Sequence, residues 1–178
     1  MTYFELYGLP ETFLPDAAVL RAAYHRISRE THPDFFANES AAVQQAALER
    51  ATRNTDAYRT LADYDRRLEY VLRLHGRLGA GTEAPALPPA FLMEMMDLNE
   101  QVMELEFAPD PAAAARTEAA VQALAEELEA GIQPTLTAYP TLPPAERAAA
   151  LDRVLAYYLR RRYVLRLREQ VARLASHP

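Results

Sequence analysis

Thr31-His32-Pro33-Asp34 interrupts two helical runs, and the reading of the whole chain turns on that interruption. Before it, residues 16–31 carry Leu20, Tyr24 and Ile27 at the 4-then-3 spacing of a helix with one buried face. After it, Ser40-Ala41 opens a second run in which Val43, Ala47, Ala51, Tyr58 and Leu61 recur on a similar period. Pro33 accounts for the break: its ring fixes φ, it has no N–H to donate, and it turns the preceding His32 away from helical geometry. The chain therefore presents an imidazole and a carboxylate side by side at a forced corner.

The run before the corner has a second face. At about 100° per residue, Arg21, His25 and Arg29 fall on one line roughly opposite the Leu20–Tyr24–Ile27 stripe, with Arg26 close by. A basic stripe alone is ordinarily a solvated helix surface. Its place directly before His32-Pro33-Asp34 is what gives it meaning.

These residues resemble a J-domain, the module that stimulates ATP hydrolysis by DnaK-type chaperones. More specifically, the chain is similar to the HscB family, the J-domain co-chaperones of iron–sulfur cluster assembly. The resemblance runs from Tyr3-Phe4-Glu5-Leu6-Tyr7-Gly8-Leu9-Pro10 through His32-Pro33-Asp34, and includes Asn54, Ala57 and Tyr58. It continues through Arg67-Leu68-Glu69-Tyr70-Val71-Leu72 and Leu74-His75-Gly76, and resumes at Phe91-Leu92-Met93-Glu94. It implies that Arg21, His25, Arg26, Arg29, His32, Pro33 and Asp34 engage a DnaK- or HscA-type ATPase. Many J-domains place Lys directly after the motif, where this chain has Phe35.

Composition narrows the classes. Half of the 178 residues are apolar, Pro is frequent (13), Gly is rare (5), and Ala is abundant. That balance favours helices separated by firm stops, and no alternating β run is visible, so an all-α fold is expected. There is no Cys, which excludes disulfides, thiolate catalysis and Cys-ligated zinc or iron–sulfur clusters. A member of the HscB family built this way would assist cluster traffic without holding a cluster, and no cofactor is expected. Net charge is −6 and all 19 basic residues are Arg, a balance that disfavours nucleic acid as a partner. No apolar run is long enough to span a membrane and no secretory signal is visible, which makes the cytoplasm the expected location.

The first domain is expected over residues 1–75. Residues 1–10 form a short turn of helix ending at Gly8 and Pro10, and Pro15 and Asp16 suit the start of the next helix. After the corner, Phe35 and Phe36 are expected to insert between the helices, and Asn38-Glu39-Ser40 to cap a helix over about 41–62. Asp63-Tyr64-Asp65 reads as a corner, followed by a fourth helix from Arg66 to Leu74 with Leu68, Val71 and Leu72 facing inward. His75 beside Gly76 suits a helix C-terminus. Residues 76–89 hold three Gly and three Pro, the composition of a linker.

The second domain, 90–178, is expected to be a three-helix bundle. In residues 90–107, Phe91, Met95, Leu98, Val102 and Leu105 follow a 4-3-4-3 spacing, a core-facing seam. Leu92, Met96 and Met103 cluster about 120° round the helix from it. Beside them lie Met93, Asp97, Glu100 and Glu104; from 91 to 106 there are five acidic residues and no basic one. A wide bundle would bury such a ridge, whereas Met is also favoured on adaptable binding surfaces. The HscB resemblance implies that an IscU-type iron–sulfur scaffold docks here, on Leu92, Met93, Met96, Asp97, Glu100 and Glu104.

Asp110 and Pro111 suit the start of a helix over 112–130 with Val121, Leu124 and Leu128 inward, which Gly131 and Pro134 should end or kink. Pro140, Pro143 and Pro144 fix a turn before a last helix over about 144–175, with a seam of Leu151, Leu155, Tyr158, Leu165 and Val171. Arg160-Arg161-Arg162, Arg166 and Arg168, interleaved with Tyr157, Tyr158 and Tyr163, have the form of a nucleic-acid reader. Beside an acidic first helix, pairing across the bundle or simple solvation accounts for them more economically. By the family resemblance, Tyr157 or Tyr158 completes the scaffold surface.

The expected protein is a two-site helical adaptor, a regulator of a partner ATPase and not itself an enzyme. Two alternatives are a generic J-domain adaptor with a different client and a hydrolase using His32 and Asp34. The hydrolase would need a pocket and a nucleophile or metal, neither of which is visible near the motif.

Overall fold

The computed structural model describes residues 1–79 and 87–176, which contain helices and turns and no strand. They divide into two compact units, one formed by Met1–His75 with Leu136–Leu142, the other running from Gly76 to Thr135 and from Pro143 onward.

The first unit begins with α1, Tyr3–Tyr7, capped by the Thr2 hydroxyl and closed by Gly8 in the left-handed region at φ 67°. Helix α2, Ala17–Glu30, is capped by the Asp16 carboxylate, which accepts from the N–H groups of Ala18 (2.7 Å) and Val19 (3.1 Å). It buries Leu20, Ala23 and Ile27. Tyr24 is half-buried and packs against Tyr58, the two rings tilted by 30° at 4.6 Å. The helix stops at Thr31, whose hydroxyl donates to the Ile27 carbonyl at 2.8 Å, and the next residue, His32, is extended at φ −63°, ψ 131° as Pro33 requires.

A single 3₁₀ turn, Pro33–Phe35, leads to α3, Ala41–Ala62, with Ser40 as its cap. Phe35 does not insert between the helices: it is 70% exposed, its ring set edge-on to His32, while Phe36 is half-buried. The turn carries residue 35 past the point where it could point inward. The core contribution of α3 is confined to its C-terminal half, Asn54, Ala57 and Leu61; Val43 is exposed, and Ala47, Ala51 and Tyr58 are half-buried.

Asn54 joins three helices. Its side-chain amide N–H groups donate to the Tyr24 carbonyl and the Ser28 hydroxyl, both at 3.0 Å, and its backbone carbonyl accepts from the Tyr7 hydroxyl at 3.0 Å. Asp63 ends α3 and caps α4 by accepting from the Arg66 N–H at 2.8 Å. Helix α4 therefore starts at Tyr64, two residues before the expected Arg66, and runs to Leu74 with Leu68, Val71 and Leu72 fully buried. Arg67 is buried with them; its guanidinium donates to the carbonyls of Phe13 and Leu61, and desolvation lowers its pKa.

Residues 136–142 pack with this unit, not with the bundle to which sequence order assigns them. Tyr139 is fully buried, edge-on to Phe13 at 4.8 Å, and donates its hydroxyl proton to Glu11 at 2.7 Å. Of the proline- and glycine-rich stretch 76–89, residues 80–86 lie outside the described residues.

The second unit is built from α5, Pro89–Phe107, most of α6, Pro111–Ala138, and α7, Pro144–Ser176. The α5 seam Phe91, Met95, Leu98 and Val102 packs with Val121 and Leu124 of α6 and with Val164, Leu167 and Val171 of α7. Leu165 lies half-buried beside that seam instead of in it. Helix α6 passes through Gly131 and Pro134 without ending. Pro134 and Ala130, the residue whose carbonyl loses a donor, are both exposed, on the solvent side of the helix, where the lost bond costs least. Buried Ile132 and Leu136 hold the turns on either side.

Candidate partner-binding surfaces

On α2, the side chains opposite the Leu20–Ile27 stripe are exposed: Arg21, His25, Arg26 and Arg29 all face solvent. Arg26 is paired with Glu30 at 3.2 Å, and Glu30 also takes Arg50 of α3 at 2.6 Å. Arg21, His25 and Arg29 thus carry the stripe, with Arg26 partly neutralised at its edge.

The stripe ends at the corner, where His32, Pro33 and Asp34 are exposed. The Nδ1 atom of His32 accepts the Asp34 N–H at 3.4 Å, and the Asp34 carboxylate stands 3.5 Å from the same nitrogen. Beside the corner an open concavity of about 500 Å³ is lined by Pro33, Asp34 and Phe36 and by Gln44, Ala47, Leu48 and Ala51 of α3. The hydroxyl nearest in sequence, that of Thr31, is already committed to the Ile27 carbonyl.

On α5, the seam and the ridge separate cleanly. Met95 is 1% exposed and its neighbour Met96 is 68% exposed. Leu92, Met93 and Met103 are exposed as well, and Asp97, Glu100 and Glu104 stand beside them in solvent. A broad concavity of about 1030 Å³ is lined by Met96, Asp97, Glu100, Met103, Glu104 and Phe107 of α5 and by Ala113 and Arg116 of α6. Met103 belongs to the ridge that the spacing predicts, and exposed Phe107, at the last turn of α5, lies beyond the residues that carry the family resemblance.

Comparison with known proteins identifies the family. Residues 87–172 match the family model described as the HSCB C-terminal oligomerisation domain. The chain is 39% identical over 127 residues to the co-chaperone protein HscB homolog of Burkholderia multivorans, covering 71% of this chain and 69% of that one. It is 39% identical over 109 residues to the homolog of Ralstonia nicotianae, of which the match spans 62%. This chain belongs to the HscB co-chaperone family. Among solved structures it is similar to chaperone HscB from Vibrio cholerae, with TM-score 0.68 and 32% identity over 99% of this chain and 98% of that one. The human co-chaperone protein HscB gives TM-score 0.70 at 26% identity, over 97% of this chain and 81% of that one.

In HscB-family terms, the first unit holds the J-domain and the second the C-terminal helical domain. Both tyrosines that the resemblance offered to the scaffold surface, Tyr157 and Tyr158, are buried in this HscB-family chain, so neither presents itself there. One of the α7 arginines pairs across the bundle, and others lie on aromatic rings. Arg161 approaches Glu129 of α6 at 3.5 Å, while Arg160, Arg162 and Arg166 lie over the rings of Phe91, Tyr158 and Tyr163. Engaged in this way with its own aromatic rings, the cluster makes a poor stacking platform for bases. Among the described residues there is no group of three or more His, Asp or Glu placed to hold a metal ion, and no helix is long and apolar enough to cross a membrane.

Proposed function

We propose that this chain stimulates ATP hydrolysis by a DnaK- or HscA-type chaperone and brings an IscU-type iron–sulfur scaffold protein to it, in the cytoplasm. The chaperone surface is Arg21, His25, Arg26, Arg29, His32, Pro33 and Asp34. The scaffold surface is Leu92, Met93, Met96, Asp97, Glu100 and Glu104. One observation carries the reading: a solvent-facing basic helix ending in an exposed His-Pro-Asp corner shares a chain with an exposed apolar ridge edged by carboxylates.

His32 and Asp34 do no chemistry of their own in this scheme. They bind the ATPase better in its hydrolysis-competent state than in its resting state, and that difference in affinity shifts the population. Holding both partners on one chain raises the local concentration of scaffold at the chaperone.

Phosphate release from the purified chaperone, measured with this chain, with scaffold, and with both, tests the proposal. Stimulation by the chain, deepened by scaffold, is expected; an unchanged turnover rate sinks it. Phosphate or ester turnover by this chain alone would instead favour a His32/Asp34 hydrolase. Scaffold binding that survives Leu92→Ala and Met96→Ala would favour a J-domain adaptor with another client.

A further inference from the structure

Leu92, Met96, Met103 and Phe107 fall within about 60° of one another on α5 at 100° per residue, and all four are exposed. The stripe they make is about 22 Å long at 1.5 Å per residue. Phe107, 85% exposed, closes it at the last turn of the helix. Single exposed apolar side chains are ordinary, but four in register on a helix whose other face already fills a core are not accounted for by folding.

The charge beside the stripe says what kind of surface covers it. Glu100, Glu104 and Asp97 follow it at about 80–140° from Leu92, and α5 carries no cation between 91 and 106. Arg116 of α6 is one cation at the rim against the three carboxylates, so a two-fold pairing that brings the acidic edges together would leave most of them facing carboxylates. A partner whose apolar patch is edged by Lys or Arg meets both features at once.

We propose that the scaffold-docking face continues past Glu104 and that Phe107, with Met103 beside it, is the apolar anchor of its C-terminal half. The occupant is the scaffold protein itself, through an apolar patch with a basic edge. This rests on the scaffold reading given above. An aromatic ring with two rotatable bonds gives a large contact area for little lost entropy, the profile of an interface hot spot.

Isothermal titration of the full chain with the cluster-free IscU-type scaffold of the same genome tests it. Phe107→Ala is expected to raise Kd about tenfold and Met103→Ala about threefold, as for hot-spot and flanking positions. Neither should move the thermal melt, because both side chains are exposed. The Phe107→Ala ratio should hold from low to high salt, while the wild-type affinity itself falls as salt screens the carboxylates. If Met96→Ala weakens binding and Phe107→Ala does not, the extension is wrong and the scaffold reading stands. If the wild-type chain does not bind scaffold, both fail. If Phe107→Ala turns a larger species into monomer on sedimentation and leaves scaffold affinity unchanged, the anchor belongs to a second copy and the proposal is overturned.

Discussion

The backbone N–H of Asp34 reaches Nδ1 of His32 at 3.4 Å, so the two outer residues of the His-Pro-Asp corner are joined across the proline. The contact holds the imidazole on an exposed turn, edge-on to exposed Phe35 and one residue after buried Thr31.

His32→Gln should therefore abolish chaperone stimulation and leave the fold intact. Exposed substitutions of this kind change stability by about 0.5 kcal/mol or less. Phosphate release and a thermal melt, run on the same preparation, check both halves. A melting point lowered by many degrees would make His32 a structural residue.

Arg29→Ala should weaken chaperone binding, and by more at low ionic strength, where screening over distances of about 10 Å is weakest. Arg26→Ala should cost less, because Arg26 is already paired with Glu30. Affinity measured across a salt series decides this; a loss independent of salt would remove charge from the account.

Met95 and Met96 are neighbours with opposite fates. Met95→Ala should cost about 2–5 kcal/mol of stability, the usual range for emptying a buried Met site, read from chemical denaturation. Met96→Ala should leave stability within about 0.5 kcal/mol and weaken scaffold binding. The reverse pattern would mean that the face of α5 has been misassigned.

Tyr7 gives a pH signature. Burial raises the pKa of its phenol above the ordinary 10.0, so the folded chain keeps the proton when the unfolded chain releases it. Its contribution is complete below pH 10.0 and declines as pH climbs from there toward the folded-state value. Tyr70, raised by burial as well, adds to the same decline. Tyr7→Phe should flatten part of this alkaline loss. At neutral pH it should cost about 0.5–1.5 kcal/mol for the hydrogen bond to the Asn54 carbonyl. Denaturation midpoints at neutral and alkaline pH measure both effects.

Local chemistry in the sequence determined the helices, the corner and the first stripe of each helix. Pro33 breaks a helix wherever it stands, Asp16, Ser40 and Asp110 satisfy orphan N–H groups from within their own turn, and a 3.6-residue period shows in any window a few turns long. Only the tertiary structure decided which second faces are covered. It buried Tyr157 and Tyr158 and packed Tyr139 against Phe13. Each of these depends on a neighbour far away in the chain, and no local window contains that neighbour. The exposure of Met96 beside the buried Met95 is of the same kind: period sets them on different lines of the helix, but only the positions of α6 and α7 determine which line meets water.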